Sequence, residues 1–526
     1  MNETRRVFML AAGSAVAAFS LPQGMAGAAD QATSSDKGAK AMDYQHAKQL
    51  IALLQSRQVS AVELTDRAIA RIEAHDGKLN AVVVRDFERA RAAAIEADRR
   101  LARGERAPLL GLPMTVKECA NIAGLPTTWG IPGTEKLPVH EDAVTVARLK
   151  AAGAIILGKT NLPLMLADMQ SYNAIYGTTN NPWDFSRTPG GSSGGAAAAL
   201  AAGYVALELG TDLGGSLRIP AHFCGVFAHK PTYGIVPGRG VAPPGTPSLS
   251  VPIQVPFAVV GPMARSAGDL ALALDILAGP DATDALGYKL ALPPPRHTEL
   301  RDFRVLVLDE HPLLPTSGAV RAALDSVANR LAKSGATVAR TSPLLPDLAH
   351  IGRTFAQVLS AVMTADAPDD IYAGLKSRAA ALPAEADNIA AARLRASIMS
   401  YREWVQADRI RIGTANRWQH LFRDFDVVLC PVTPTPAFVH DHSEMPARHI
   451  LVDGTEIPYG DQIMWNGNAT LVGLPSTAMP IGLSGEGLPI GMQIVGPAME
   501  DRTTIAFAEL VEREYGGFVA PPAFKS

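Results

Sequence analysis

Two glycine-rich segments of this 526-residue chain carry serines 24 positions apart. They are Pro189-Gly190-Gly191-Ser192-Ser193-Gly194-Gly195 and Gly210-Thr211-Asp212-Leu213-Gly214-Gly215-Ser216-Leu217-Arg218-Ile219-Pro220. Glycine lets a backbone approach a ligand closely and adopt conformations closed to other residues. Successive N–H groups at Leu213, Gly214, Gly215 and Ser216 can converge on one point and form an oxyanion hole, with the Ser216 hydroxyl beside it. The bland reading is a pair of glycine turns with surface serines, since both residues are ordinary turn formers. A serine nucleophile also needs a base. Lys117 ends the mostly apolar run Gly111-Leu112-Pro113-Met114-Thr115-Val116. Burial penalises a charged ammonium and lowers its pKa, so a neutral Lys117 could take a proton. A strand-end lysine can equally snorkel to water. Spacing alone leaves both open.

Other motifs match in letters and fail in context. Gly153-Ala154-Ile155-Ile156-Leu157-Gly158-Lys159-Thr160 fits the P-loop pattern. Its four intervening residues are apolar and strand-like, however, so their N–H groups belong to a sheet ladder, and Pro163 interrupts the helix that should follow. Gly190-Gly191-Ser192-Ser193-Gly194 satisfies G-x-S-x-G, but a polar stretch with Pro182 and Pro189 stands where that motif needs a strand. Ser34-x-x-Lys37 lies in a polar lead-in where no site could be held. The twelve histidines include no H-E-x-x-H pair, and His222 and His229 read as structural.

The elements that must position these residues alternate between strand and helix. Ala81–Val84, Met114–Val116, Ala154–Leu157, Val305–Leu308, Thr337–Ala339 and Val427–Leu429 read as strands. Helices are expected from the Ser60/Glu63 capping box, over 86–103 and 144–152, in the Ala-rich stretch 196–202, after Ser266 with Asp269, and over 318–334 up to Gly335. Such alternation predicts an α/β fold around a central sheet. The Pro-rich stretch 292–295 and the polar stretch 440–460 read as loops. There is no internal repeat, and one domain is expected.

Composition agrees with an enzyme-sized globular protein: 47% hydrophobic and 19% charged residues, with 46 Gly and 39 Pro for tight turns. With 48 Lys plus Arg against 51 Asp plus Glu, a net charge of −3 gives no field to track nucleic acid or an anionic membrane. Cys119, Cys224 and Cys430 make neither a disulfide framework nor a zinc cage. At the start, Arg5 and Arg6 precede an apolar run from Val7 to Phe19 and then Ala26-Gly27-Ala28, the pattern of a signal peptide over 1–29. The run is shorter than the about 20 residues of a membrane span, so no stable membrane insertion is expected. Thr4-Arg5-Arg6-Val7-Phe8-Met9 looks like a twin-arginine signal, which would make that export machinery a partner of the precursor. An ordinary secretory signal would use the two arginines only as charge. Either way a periplasmic or secreted protein is expected, with a flexible lead-in over 30–42.

Taken together, the two serine segments and the lysine 75 positions before Ser192 resemble the amidase signature hydrolases and their Ser-Ser-Lys triad. The resemblance spans roughly 43–520 and includes Asn173-Ala174-Ile175-Tyr176-Gly177-Thr178-Thr179-Asn180-Asn181-Pro182, Lys230-Pro231-Thr232, Asp426–Pro431, Gly473-Leu474-Pro475 and Gly491-Met492-Gln493. One departure is Glu208, where that family usually has a small residue; it lies outside the catalytic positions and is expected to affect helix packing.

The resemblance implies a single large domain with a mixed central sheet covered by helices on both sides, and no metal or organic cofactor. It implies Ser216 as nucleophile, Ser192 as proton relay after a cis Gly191–Ser192 bond, and neutral Lys117 as base, with Ser193, Asp212 and Arg218 orienting them. The reaction implied is hydrolysis of a carboxylic amide to acid plus ammonia or amine through an acyl-enzyme, with a small-molecule amide as partner and no nucleic acid. The alternatives are an amidotransferase-type subunit of an RNA-dependent complex, which an export signal argues against, and a non-catalytic binding protein, which the filled triad positions argue against. Residues 164–169, Tyr172, Trp465 and Asn466 are expected to line the acyl pocket, with aliphatic, aryl, peptide and acyl amides all open as substrates.

Overall fold

In the computed structural model, which describes Met42, residues 44–245 and residues 256–525, the apolar runs of the sequence become strands of one large sheet. The expected signal peptide and all of the lead-in except Met42 lie outside the described residues. In chain order the strands are β1 (Val82–Arg85), β2 (Pro113–Lys117), β3 (Ile155–Thr160), β4 (Leu207–Asp212), β5 (Phe227–Lys230), β6 (Val259–Ala264), β7 (Arg304–Val307), β8 (Thr337–Ala339), β9 (Val427–Pro431), β10 (Ser476–Leu483) and β11 (Pro489–Val495). Their order across the sheet is β1-β3-β2-β4-β6-β5-β10-β11-β9-β7-β8. Pairing is mixed: β2 runs parallel to β3 and β4, and β7 to β8 and β9, whereas the central pairs from β4 through β11 are antiparallel. Helices flank this sheet, as the resemblance implied.

Burial explains why the parallel strands read as continuous apolar runs. All five residues of β2 and all six of β3 are buried, as expected for strands covered on both faces. The helices start where the sequence sets them. Ser60 accepts from the Glu63 N–H while Glu63 caps the Ser60 N–H, opening helix Ala61–Leu79; Ser266 accepts from the Asp269 N–H, opening Ala267–Leu277. Helix Gly194–Ala201 consists of Gly, Ala and one Leu, is buried throughout, and packs on β2, β3 and β4. Side chains that small let it lie close to the sheet and carry Ser192 and Ser193 down to the end of β2.

One expectation needs correction, and two further stretches carry structure beyond the expected elements. The stretch 440–460 is not all loop: His449–Val452 and Thr455–Pro458 pair as a hairpin. Its turn is Asp453-Gly454, both at positive φ (47° and 86°), the Asp-Gly turn chemistry that favours hairpins, and Ile450, Val452 and Ile457 point inward. Residues 207–212, whose Glu, Gly, Thr and Asp hide the apolar alternation, form the central strand β4. Glu208 therefore lies in the sheet, on a strand over which helix Gly194–Ala201 packs. The chain also builds four helices between Leu348 and Asp424.

Candidate active site

Lys117, Ser192 and Ser193 meet at the C-terminal end of β2. The lysine is 1% exposed, and its Nζ lies 2.6 Å from Ser192 Oγ, 2.9 Å from Ser193 Oγ and 2.8 Å from Thr211 Oγ1. The snorkelling alternative is thus excluded. Burial lowers the amine pKa from its usual value near 10.5 to about 8, partly offset by Cys119, Asp212 and Glu208 nearby. Ser192 follows a cis Gly191–Ser192 peptide, as the resemblance implied. Gly191 is required sterically: a Cβ there would stand 2.5 Å from the Asp168 carbonyl and 2.7 Å from the Gln170 nitrogen. Ser171, which no motif in the sequence singles out, ties the loop down. Its hydroxyl donates to the Gly190 carbonyl (2.9 Å) and accepts from the Gly194 N–H (3.0 Å).

Ser216 joins this group through the backbone, its carbonyl accepting from the Ser193 N–H at 3.2 Å. Its own side chain is half-buried, and among the described residues its hydroxyl makes no hydrogen bond. Catalytic hydrogen bonds in a ligand-free site are commonly long and tighten only around substrate. The loop before it is held by Asp212, whose carboxylate accepts from the Gly215 N–H (2.9 Å) and the Leu217 N–H (3.1 Å). That corrects one expected donor: the Gly215 N–H is already committed to Asp212. The N–H groups of Leu213, Gly214 and Ser216 have no acceptor among the described residues and stay available for an oxyanion. Gly215 still cannot be replaced, since its φ is +111° and a Cβ would lie 2.7 Å from the Asn466 side chain.

Asp212 is fixed in turn by Arg218. The guanidinium donates to both carboxylate oxygens (3.0 and 2.9 Å), to Thr470 Oγ1 (2.7 Å), to Gln493 Oε1 (2.9 Å) and to the Asn466 carbonyl (3.2 Å). Burial works to raise the Asp212 pKa, but the guanidinium outweighs it and holds the carboxyl below the usual range. Both side chains are wholly buried. Helix Arg218–Cys224, packed on β10 and β11, supplies this arginine and anchors the serine loop to the middle of the sheet.

The other expected residues take different places. Leu164 and Met165 are exposed, and the Tyr172 hydroxyl turns to Arg448, from which it accepts at 2.7 Å. Trp465 and Asn466 have no exposed surface: Trp465 Nε1 donates to Thr316 Oγ1, and Asn466 packs behind Gly215. Asn466 thus backs the serine loop, and Trp465 is packed against Thr316 and His311. Lys159 of the P-loop lookalike is buried in β3 and donates to the Pro126 carbonyl and Thr127 Oγ1. His222 accepts from the Gly491 N–H and His229 faces Asp501 and Thr477, both structural. The cysteines are buried and unpaired, and no cluster of His, Cys, Asp and Glu among the described residues is arranged for a metal. No helix among them is long and apolar enough to cross a membrane.

Comparison with known proteins agrees with this architecture. Residues 63–505 match the Amidase family. The chain is 35% identical to a glutamyl-tRNA(Gln) amidotransferase subunit of Anaeromyxobacter sp. (strain K), covering 89% of this chain and 95% of that one. It is 32% identical to fatty-acid amide hydrolase 2-A of Danio rerio, over 90% and 89%. The structure of a bacterial aryl acylamidase of the amidase signature family superposes with a TM-score of 0.75 at 25% identity, covering 90% and 97%. The chain belongs to the amidase signature family. Its members are enzymes that hydrolyse amide C–N bonds, and this chain is one of them.

The Arg218–Asp212 pair yields a stability prediction. Asp212→Ala strands a buried guanidinium and two N–H groups, so unfolding free energy should drop by roughly 3–5 kcal/mol, the usual cost of breaking a buried pair. Urea unfolding followed by tryptophan fluorescence measures it; a loss below about 1 kcal/mol would show that the pair is not the anchor described.

Proposed function

We propose that the protein is a stand-alone amidase in which Ser216 attacks the carbonyl carbon of a small carboxylic amide. The observation that carries this reading is the hydroxyl-only environment of the Lys117 amine. An ammonium would donate three hydrogen bonds, whereas a neutral amine donates two and accepts one. Ser193 spends its hydroxyl proton on the Thr211 carbonyl at 3.2 Å, so it accepts from Lys117. Ser192 spends its proton nowhere else, and at 2.6 Å it can donate to the lone pair of a neutral Lys117. The chemistry follows. Ser192 passes its proton to Lys117 and takes one from Ser216; the Ser216 alkoxide adds to the carbonyl; the N–H groups of Leu213, Gly214 and Ser216 receive the oxyanion. Collapse expels the nitrogen, protonated through Ser192 from Lys117, and leaves an acyl ester on Ser216. Water, deprotonated along the same path, releases the acid.

Its amidotransferase relatives support a second reading, in which the chain works only as one component of a tRNA-dependent amidotransferase. The two separate cleanly. A purified chain that releases ammonia or amine from an amide library without any partner supports the first, and activity only with added partner chains and tRNA supports the second. The twin-arginine pattern at Arg5 and Arg6 favours the first, and with it we place the mature protein in the periplasm or outside the cell.

Three outcomes are expected. Ser216→Ala should abolish turnover and fluorophosphonate labelling while the circular dichroism spectrum is kept; appreciable residual hydrolysis would remove Ser216 from the nucleophile's role. Because the base must be neutral and its pKa is about 8, kcat/KM should rise through that pH and fall about tenfold per unit below it. Lys117→Ala should lose orders of magnitude in rate together with that limb, and an unchanged limb would assign the base elsewhere. Arg5→Lys with Arg6→Lys should strand precursor in the cytoplasm, whereas normal export would point to the general secretory route.

A further inference from the structure

Glu208 is a carboxyl buried in the sheet beneath the base. It sits on β4 in register with Thr115 of β2, and Lys117, two residues further along β2, is in register with Thr160 of β3. Side chains on a strand alternate between faces, so Thr115, Lys117, Thr160 and Glu208 share one face. Gly210, two residues beyond Glu208, confirms which: a Cβ there would stand 2.9 Å from Ser193 Oγ, a partner of Lys117. Glu208 is 1% exposed, and Thr115 and Thr160 are wholly buried. No hydrogen bond of good geometry forms at Glu208 Oε1, Thr115 Oγ1 or Thr160 Oγ1 among the described residues, though the two hydroxyls stand close enough to favour the charged carboxylate; Oε2 accepts from the adjacent Leu209 N–H.

The surroundings offer this carboxyl no dedicated cation. Helix Gly194–Ala201 over β2, β3 and β4 brings only Gly, Ala and Leu, and Met263 of β6 stands opposite Glu208. Three titratable groups act on Lys117: Asp212 and Glu208 from β4, and Cys119 from the loop after β2. Asp212 is committed to Arg218, and burial pushes the Cys119 thiol up, keeping it neutral. Only Glu208 titrates without an ion-pair partner of its own. Burial drives its pKa up to about 8, into the range of the amine it faces.

We propose that Glu208 is a positioning residue for the base, its carboxyl and the Lys117 amine holding one proton between them in the resting site. The proton sits as carboxylic acid with neutral amine, the productive form, or as carboxylate with ammonium, the idle one. A carboxylate at Glu208 favours the ammonium, so Glu208 sets the pH at which the base becomes available. This rests on Lys117 acting as the base of Ser216.

The test measures the rate of fluorophosphonate labelling at Ser216 against pH for the full chain, Glu208→Gln, Glu208→Ala and Lys117→Ala. Both Glu208 variants remove the charge, and alanine restores the small residue usual in the family, so at least one folded variant is expected. The acidic limb should move to lower pH by half a unit or more, making labelling at roughly pH 6.5 about threefold faster than in the unaltered chain. A purely structural role would scale the rate equally at every pH. Folded Glu208 variants with an unmoved limb would overturn the proposal. An unaltered chain that does not label, or Lys117→Ala labelling at the unaltered rate throughout, would instead overturn the reading of the site.

Discussion

An amine withdrawn from water, its hydrogen bonds made to hydroxyls alone, is the constraint on which this structure turns. Removing an ammonium from water is costly, and proteins answer by pairing the charge or by giving up the proton. At Lys117 no carboxylate comes within ion-pair distance among the described residues, and the three contacts are Ser192, Ser193 and Thr211. The surroundings therefore shift the amine toward its neutral form, which predominates above about pH 8. The neighbouring elements hold those hydroxyls in place and keep the nearest carboxyls, Asp212 and Glu208, out of direct contact with the amine.

That requirement explains the small residues. A serine pair can reach the end of β2 only if the loop and the helix behind it lie almost against the sheet. Glycines at 191 and 210 leave room where a Cβ would press on the Asp168 carbonyl or on Ser193 itself, and the alanines of Gly194–Ala201 let the helix settle. The charge needed to fix the second loop is kept one step away. Asp212 grips the backbone at Gly215 and Leu217, and Arg218 neutralises it, so the loop is pinned by an ion pair that does not reach the hydroxyls. The one Gly N–H spent on this grip is removed from the oxyanion donors, leaving three.

Much of this was legible in the sequence because it is carried by local patterns. The serine-glycine segments, the apolar run ending at Lys117, the capping box at Ser60, the N-cap at Ser266 and the buried parallel strands each follow from residue type and spacing. What escaped depends on placement across the chain. Thr211 stands inside a quoted motif, yet its contact with Lys117 arises only when β4 lies beside β2. Glu208 looked peripheral because a single polar residue at the start of Leu-Glu-Leu-Gly-Thr-Asp weakens the strand pattern that would have put it next to the base. Asn466 reads as a pocket residue, and only its packing against Gly215 shows that it stands behind the loop. Of the helices between 348 and 424, Asp369–Ala380 and Ile389–Ala396 bury only Leu375 and the pair Ala391 and Ala396, so their periodicity is faint, whereas Leu348–Thr364 has a clear apolar face that was legible and went unread.

Three buried lysines show why burial alone does not identify a base. Lys117 and Lys159 are each lowered to about 8 and Lys230 to about 7, all chiefly by desolvation. Lys230 donates to the carbonyls of Pro231 and Leu474, and Lys159 to the carbonyl of Pro126 and to Thr127. A carbonyl can receive a hydrogen bond but has no proton to give, so an amine among carbonyls can neither take a proton from its neighbours nor return one to a substrate. Hydroxyls do both. Of the three amines, only Lys117 is surrounded by hydroxyls alone, and one of those hydroxyls belongs to the segment whose next residue hydrogen-bonds Ser216. The partner atoms single out this lysine where its titration does not.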